Sequence, residues 1–148
     1  MTLTQPPFIS FIVPVYNVPT EMLCECLHSL FSLALQAHEV QIIVVDDGCD
    51  YDITQGWQPA WIKRVTLIRQ ANQGLSMARN NALAVATGQY VQFVDADDYV
   101  DIGYVEQMLS AIQSSRSDLC ISGYKRISYR NGKEKSKQDC MISDCIYS

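Results

Sequence analysis

The stretch that decides the fold is YVQFVDADDY, residues 90–99. Its first half is apolar and β-branched and predicts a buried strand, and its second half places Asp95, Asp97 and Asp98 where that strand should end. Carboxylates this close repel one another unless a cation or strong hydrogen-bond donors lie between them. On extended backbone Asp95 and Asp97 share a side and Ala96 points away, which predicts a shared divalent cation. The alternative is a capped turn, because a lone Asp-x-Asp is common after strands.

Composition limits the class of protein. The chain has 148 residues, of which 48% are hydrophobic and 18% charged, as in an ordinary soluble globular domain. A net charge of −5 argues against general nucleic-acid binding. The six cysteines show no CxxC pair, the first residues lack a signal-peptide pattern, and no apolar run is long enough to cross a bilayer. We therefore expect reduced thiols, a cytoplasmic location and no transmembrane span.

Basic residues are concentrated in one segment, which holds six of the eleven: Lys125, Arg126, Arg130, Lys133, Lys135 and Lys137. A hairpin turn is predicted at residues 130–133. Two interpretations of the charge stay open. The segment is either a solvated hairpin rim or a patch for an anionic membrane or acceptor, which would allow peripheral association with the inner face of a membrane.

Two buried strands and a helix form the first predicted unit. The continuous apolar runs at residues 8–15 and 40–45 are typical of strands covered on both faces by helices. Pro14 is expected to end the first, because it cannot donate to a ladder. A helix is expected from Thr20 as N-cap, with Leu23, Leu27, Leu30 and Ala34 on its apolar face. A right-handed crossover would place both strand ends on the same edge of a parallel sheet.

The remaining pattern alternates strands and helices. We predict strands at 65–69, 90–95 and 118–124, and helices at about 75–87 and 102–114, with only a short helix between residues 49 and 61. The helix at 75–87 should pack on the sheet through a narrow face and end at Gly88 as its C′ residue. That face is formed by Leu75, Ala78, Ala82 and Val85.

Three loops should converge at the carboxyl edge of this sheet, where open α/β sheets bind ligands: 14–17, 46–48 and 95–98. A metal at the last loop would attract a diphosphate, and Tyr16 offers a ring to a base. Asp46 or Asp47 would accept a hydrogen bond from a pyrimidine N3–H or a ribose hydroxyl. Arg79, near a helix N-terminus, would neutralise phosphate charge. Neither GxGxxG nor a P-loop sequence is present, which disfavours those nucleotide-binding modes.

Four motifs together resemble the nucleotide-sugar-binding half of the family 2 glycosyltransferases. They are SFIVPVYN (10–17), IVVDDG (43–48), NQGLSMARN (72–80) and FVDADD (93–98). The resemblance implies an α/β, Rossmann-like GT-A domain with a mainly parallel central sheet flanked by helices on both faces, incomplete at its C-terminus. Residues 8–114 would be the donor-binding core of this single domain, and 115–148 a partial acceptor-side segment rich in strands and hairpins.

The resemblance also implies a reaction, the inverting transfer of a sugar from a nucleoside diphosphate donor, usually UDP-linked, to a hydroxyl of a saccharide or lipid-linked acceptor. The divalent metal would be Mn²⁺ or Mg²⁺, held by Asp95, Asp97 and Asp98. The nucleotide-sugar-binding positions carried over are Pro14, Val15, Tyr16, Asn17, Asp46, Asp47, Asn72, Gly74, Arg79, Asp95, Ala96 and Asp97. The usual setting is polysaccharide or glycolipid assembly at the cytoplasmic face of a membrane.

The sequence departs from the family pattern at two points. Cys49 stands where a serine is usual after Asp-Asp-Gly, a change that we expect to be tolerated. No carboxylate after Ser114 is a good candidate for the general base, which we expect to lie beyond Ser148. A catalytically silent module that binds a nucleotide sugar or another protein is therefore the alternative hypothesis. A sugar nucleotidyltransferase is less well supported, because the Gly-rich loop expected after the first strand is replaced by PVYN, residues 14–17.

Overall fold

A computed structural model describes residues 6–130, 133–140 and 145–147, with side chains described up to Ser128. The chain divides into two compact units, Met1–Ile102 and Gly103–Ser148. The elements of the first unit are β1 (Ile9–Val15), α1 (Thr20–Phe31), β2 (Val40–Asp46), α2 (Pro59–Arg64), β3 (Val65–Arg69), α3 (Leu75–Leu83) and β4 (Tyr90–Phe93).

The first unit is built on a parallel four-stranded sheet in the order β3-β2-β1-β4. The hydrophobic core lies along the two central strands, where all seven residues of β1 are buried. This arrangement confirms the α/β class and the alternation of strands and helices predicted from the apolar runs. It also places the ends of all four strands at one edge of the sheet.

Pro14 lies inside β1 rather than after it, opposite Val45. The strand ends one residue later. The carbonyl of Ile12 accepts a hydrogen bond from the N–H of Val94, on the β4 side of β1. Pro14, two residues further on, faces that same side, where β4 has already ended at Phe93. Pro14 therefore lies at the end of the β1–β4 ladder and not in its middle. The strand ends at Val15, the last residue of the predicted apolar run, so the expectation that Pro14 marks its end was wrong by one residue.

Helix α1 buries the predicted leucine face and one cysteine: Leu23, Cys26, Leu27 and Leu30. The N-cap residue is Pro19, with no side-chain cap hydrogen bond, so the predicted capping role of Thr20 was wrong. Thr20 is the first helical residue instead, because the extended backbone of Pro19 already supplies the turn into the helix. The helix stops at Phe31, which leaves the predicted core residue Ala34 exposed and Leu33 buried in its place.

Helix α3 is shorter than predicted. It ends at Leu83, and its contact with the sheet rests on Ala78 and Ala82, while Leu75 and Val85 are 50% and 41% exposed. The small side chains allow close approach to a cluster formed by Ile12, Ile43 and Val45. The two larger residues of the predicted face lie outside this narrow contact, since one begins the helix and the other follows it.

Strand β4 is an edge strand, not the buried strand that its composition predicts. Val91 and Phe93 are 38% and 43% exposed. In the described part of the chain β4 pairs only with β1. Apolar, β-branched composition fits a strand on any pleated surface and does not reveal whether both of its edges and faces are covered.

The second unit contains α4 (Ile102–Ser115), apart from its first residue, followed by β5 (Leu119–Ile121), β6 (Tyr124–Arg130), β7 (Lys133–Cys140) and β8 (Cys145–Tyr147). The single strand predicted at 118–124 is divided between β5 and β6. Strands β6 and β7 form the predicted antiparallel hairpin, in which Arg130 is opposite Lys133, while the turn residues 131–132 lie outside the described residues. Within the part of the chain that the structure describes, no helix has both the length and the apolar character needed to cross a membrane.

Candidate functional site

The sheet topology brings four segments to its carboxyl edge, after β1, β2, β3 and β4. Backbone hydrogen bonds continue the ladders beyond the strands: Asp47 N–H to the Val15 carbonyl, Gln70 N–H to the Asp46 carbonyl and Val94 N–H to the Ile12 carbonyl, each 2.9 Å. Since Ile12 is opposite Phe93, continuing the register by two residues places Asp95 opposite Pro14. The three predicted loops therefore lie side by side, and the loop after β3 joins them.

The segment after β1 changes from buried to exposed within two residues. Pro14 and Val15 are buried in the sheet, whereas Tyr16 is 54% exposed and Asn17 is exposed. Asn17 adopts a left-handed conformation with φ of 51°. Its side-chain amide donates to a carboxylate oxygen of Asp50 (2.8 Å) and accepts from the Asp50 N–H (3.0 Å). This reciprocal pair fixes the β1 loop to the β2 loop.

Cys49 strengthens the same connection. Its thiol accepts from the N–H of Asn17 (3.3 Å) and donates to the carbonyl of Val15 (3.5 Å). Burial, as the main cause, raises the pKa of the Cys49 thiol to about 11, and the nearby Asp46 and Asp50 raise it further against the lowering effect of the Asn17 N–H. The neutral thiol thus makes the donor and acceptor contacts that a serine hydroxyl would make there.

Asp46 and Asp47 have different surroundings. The Asp46 carboxylate accepts from the N–H of Cys49 (2.9 Å) and lies 3.9 Å from Nε of Arg69. Asp47 is 3% exposed, and its carboxylate accepts three hydrogen bonds from the segment that follows β3. The donors are Nε2 of Gln70 (2.7 Å), N–H of Gln73 (2.8 Å) and N–H of Gly74 (2.9 Å). Asp47 therefore holds the loop that precedes α3, and Asp46 keeps more of its hydrogen-bonding capacity free.

The β2 and β3 loops also touch through backbone. Gly48 has a φ of 82°, and a Cβ added to it would lie 2.7 Å from the backbone nitrogen of Asn72. Only glycine fits this approach. Asn72 is exposed and Gly74 is half-buried, so both predicted positions lie in the loop that Asp47 fastens.

The segment Asp95–Asp98, which we call the aspartate turn, is closed by a hydrogen bond from the Asp98 N–H to the Asp95 carbonyl (2.9 Å). Ala96 is 2% exposed and the three aspartates are exposed. The backbone here is a turn and not the extended segment for which the alternation was expected, and Asp98 is exposed as well as Asp95 and Asp97. The pKa of Asp98 is raised by burial and, secondarily, by the negative charges of Asp97 and Asp95. A cation placed among the three would relieve that repulsion.

Arg79 already supplies one positive charge to the aspartate turn. Its Nη2 lies 2.9 Å from Oδ1 of Asp95, and its guanidinium carbon lies 5.2 Å from the centre of the Phe93 ring. Its Nε is buried without a hydrogen-bond partner. Arg79 is thus part of the site rather than a free surface charge. Its contact with the Phe93 ring and its ion pair with Asp95 fix the direction in which the Arg79 side chain leaves helix α3.

The donor set fits a hard divalent cation in part. Among the described residues, no group of three or more His, Cys, Asp or Glu side chains is arranged to hold a metal by itself. Magnesium-type ions at phosphate sites are commonly bound by one or two carboxylates together with oxygens of the substrate phosphates. The exposed carboxylates of the aspartate turn match that mode of binding, in which the nucleotide completes the coordination.

Sequence reasoning did not identify the contacts beneath the aspartate turn. The Cys26 thiol on α1 lies 3.8 Å from the Asp95 carbonyl, and Ser29 accepts from the N–H of Val100 (3.0 Å). Burial first, and then the charges of Asp98, Asp97 and Asp95 in that order, raise the pKa of Cys26 to about 12. Both residues lie on the helix face that turns toward the sheet, and their spacing of one helical turn was the only indication available in the sequence.

The first unit is therefore an α/β domain with a parallel, Rossmann-like sheet that carries clustered aspartates and an arginine at its carboxyl edge. The family model for glycosyl transferase family 2 matches residues 10–143. The chain belongs to this family, and the fold is the GT-A fold of its glycosyltransferases.

Relatives and solved structures agree with this assignment. The chain is 36% identical over 128 residues to the Bacillus subtilis glycosyltransferase EpsJ, covering 84% of this chain and 36% of EpsJ. It resembles the crystal structure of S. aureus TarS at 31% identity and a TM-score of 0.66, covering 74% of this chain and 33% of that one. TarS has also been solved with UDP and with UDP-GlcNAc.

A third likeness concerns a different nucleotide. The Pyrobaculum calidifontis mannosyltransferase PcManGT, solved with GDP-Man and Mn²⁺, matches at 25% identity and a TM-score of 0.68, covering 83% of this chain and 37% of that one. The chain thus spans about a third of the length of EpsJ, of PcManGT and of the TarS fragment 1–349, and 20% of the longer TarS structure.

Proposed function

We propose that this domain binds a UDP-linked sugar at the carboxyl edge of its sheet and serves the inverting transfer of that sugar to an acceptor hydroxyl. The observation that carries the proposal is the pairing of Asp95 with Arg79 at a strand end next to β1, where a metal-bound diphosphate would lie beside a base pocket. The solved complexes of TarS with UDP and UDP-GlcNAc support the choice of nucleotide.

The base and ribose are assigned to the β1 and β2 loops. The exposed ring of Tyr16 is available for stacking on uracil, and Pro14, Val15 and Asn17 shape the pocket around it. A carboxylate has about four lone-pair sites, of which three on Asp47 are already used. We therefore assign the hydrogen bond to uracil or ribose to Asp46 and assign Asp47 to holding the loop with Asn72 and Gly74.

The diphosphate is assigned to the aspartate turn. Asp95, Asp97 and Asp98 would hold Mn²⁺ or Mg²⁺, with Ala96 buried behind them. The ion would supply Lewis-acid neutralisation of the charge that develops on the departing diphosphate, worth several kcal/mol. Arg79 orients Asp95 and adds a fixed positive charge to the same side of the site.

We assign no residue at the carboxyl edge of the sheet as the general base. Inverting transfer requires a carboxylate that deprotonates the acceptor on the face opposite the leaving group. The carboxylates at the carboxyl edge of the sheet are engaged in loop contacts or belong to the aspartate turn. We propose that residues 115–148 begin the acceptor side. The acceptor would be a saccharide or a lipid-linked molecule at the cytoplasmic face of a membrane. The basic β6–β7 hairpin would favour contact with anionic headgroups there.

Calorimetric titration of UDP with and without MnCl₂ tests the donor site. We expect Mn²⁺ to strengthen UDP binding in the native chain, and Asp97→Asn to weaken the Mn²⁺-dependent part by about tenfold, because a ligand charge is lost. Glu25→Gln, an equal charge change at an exposed position of α1, is the matched control and should bind as the native chain does. Binding that does not depend on Mn²⁺ and is equal in all three proteins would contradict the assigned site.

A second measurement separates an enzyme from a silent binding module. Release of UDP from UDP-hexoses and UDP-N-acetylhexosamines is followed with a simple saccharide acceptor, using this chain and the product of its complete reading frame. Turnover that is lost in Asp97→Asn supports a transferase. Mn²⁺-dependent binding without any turnover in either protein would favour the silent module.

A further inference from the structure

Helix α1 fastens the backbone on both sides of the aspartate turn. At one end the Cys26 thiol lies 3.8 Å from the carbonyl of Asp95. At the other end the hydroxyl of Ser29 accepts the N–H of Val100 at 3.0 Å. The two contacts come from residues one helical turn apart, so they face the same side of α1.

The Ser29 hydroxyl is fixed in direction. It donates to the Cys26 carbonyl at 2.7 Å while it accepts from Val100. Because the hydroxyl has one proton, donation to the helix leaves its lone pairs directed at the incoming N–H. Val100 itself is buried, at 8% exposure, which holds its N–H close to the helix.

The negative charges of the aspartate turn act against its closed backbone conformation. Asp95, Asp97 and Asp98 lie within four residues, and their mutual repulsion favours a more open backbone. The side chain of Asp95 is held by Arg79, but no described hydrogen bond or ion pair from elsewhere in the chain restrains the side chains of Asp97 and Asp98. Their positions therefore depend on the backbone between the Asp95 and Val100 anchors.

We propose that Ser29 is a positioning residue for the donor site: by fixing the N–H of Val100 to α1, it holds Asp97 and Asp98 where they meet the metal and the diphosphate. The inference rests on the proposed function and adds to it a residue outside the four motifs. Without the hydroxyl, the turn would sample open conformations, and each would have to be closed again when Mn²⁺ binds, so metal affinity would fall while contacts to uracil stay intact.

The test compares Ser29→Ala and Ser29→Cys with Ser29→Thr. Alanine removes the hydroxyl, cysteine keeps a similar volume with a weak donor and acceptor, and threonine keeps the hydroxyl. Ser32→Ala is the matched control, because the Ser32 hydroxyl donates to the His28 carbonyl of the same helix at 2.7 Å and is exposed. The native chain and the four variants are first compared by thermal unfolding. If Ser29→Ala does not fold, Ser29→Cys takes its place as the variant with a weakened hydrogen bond.

Two readouts follow. Hydrogen exchange of the peptide containing residues 95–100, without metal, should be faster in the alanine and cysteine variants and unchanged in Ser29→Thr and Ser32→Ala. The apparent Mn²⁺ dissociation constant at saturating UDP, from the spin-resonance signal of free Mn²⁺, should rise about three- to tenfold in the first two variants only, with metal-free UDP affinity unchanged within about twofold.

The outcomes are distinguishable. A native chain that shows no Mn²⁺-dependent UDP binding would overturn the proposed function and this inference with it. Native binding that is normal, together with Ser29→Ala behaving as Ser32→Ala does in both readouts, would overturn the positioning role alone. Equal loss of UDP affinity with and without Mn²⁺ would show a general structural role for Ser29 and would also overturn the inference.

Discussion

At the scale of single residues, Asp46 and Asp47, at the end of β2 and directly after it, differ in their hydrogen-bond partners. The Asp47 carboxylate accepts from three donors of one loop, while the described hydrogen bonds to Asp46 come from Cys49 alone and Arg69 is a distant partner. The sequence Asp-Asp-Gly does not separate these roles, because both residues are acidic and follow the same strand. The difference arises from where the β3 loop returns, which is a property of the tertiary structure.

This difference predicts that Asp47→Asn destabilises the first unit. An amide keeps one acceptor oxygen and turns its NH₂ toward a backbone N–H, so at least one buried donor loses its partner. We expect a loss of about 2 kcal/mol in the free energy of unfolding, measured in urea with an unchanged slope. Asp52→Asn is the control, because the Asp52 side chain is 63% exposed and its ion pair with Arg69 is screened by solvent, so little stability should be lost. Equal losses in the two variants would show that the Asp47 contacts contribute little.

At the scale of elements, the sequence predicted the order and type of the four strands of the first unit and of α1 and α3. The short helix expected between residues 49 and 61 is found later, as α2 at Pro59–Arg64, where the proline begins the helix instead of interrupting it. Continuous apolar runs identified β1 and β2, and the helical spacing of leucines identified α1. The prediction failed where a boundary depends on neighbours. Whether β4 is covered, where α3 leaves the sheet and whether Pro14 can stay in β1 are all decided by other strands, which local patterns do not record.

The candidate site was likewise predicted only in part from the sequence. The segments carrying aspartates could be placed at one edge because parallel strands share an edge, and the register now places Asp95 beside β1. The supporting contacts could not be predicted. Cys26 lies 69 positions from Asp95 and Ser29 lies 71 positions from Val100. A single sequence contains no indication of which helix residue meets which loop.

Gly88 illustrates the same limit and gives a prediction. It was expected to end α3 in a left-handed conformation, but α3 ends at Leu83 and the glycines with positive φ in the described residues are Gly48, Gly56 and Gly74. Gly88 is required for space instead. An added Cβ would lie 2.5 Å from the backbone nitrogen of Ser10 and 2.7 Å from the carbonyl carbon of Ile9.

Gly88→Ala should therefore displace β1 or the start of β4. We expect a loss of about 1–3 kcal/mol in the free energy of unfolding, because the atoms it meets belong to the backbone of a central strand and cannot rotate away. Gln89→Ala, at an exposed neighbouring position, should change stability by less than about 0.5 kcal/mol. Chemical denaturation of the two variants provides the comparison, and a neutral Gly88→Ala would mean that the strand end shifts without cost.

At the scale of the whole molecule, the residues assigned to the donor site all lie in the first of the two compact units. A ligand that binds only the folded state stabilises it by RT ln(1 + [L]/Kd), about 2.7 kcal/mol at a hundredfold excess over Kd. For a unit of this size that energy corresponds to a rise in Tm of about 10 °C or more. UDP with Mn²⁺ should accordingly stabilise the first unit.

Hydrogen exchange locates that stabilisation. With UDP and Mn²⁺ present, peptides covering residues 15–18, 46–50, 70–79 and 95–100 should exchange more slowly, because these segments supply the base, ribose and diphosphate contacts. The hairpin peptides at 124–130 and 133–140 should be unaffected, since none of the assigned ligands comes from the second unit. Asp97→Asn with the same additions should lose most of the protection at 95–100 and keep part of that at 15–18, because uracil and ribose would still bind. Protection confined to the hairpin would show that the nucleotide binds through basic side chains there, and the carboxyl edge of the sheet would then have to be abandoned as the donor site.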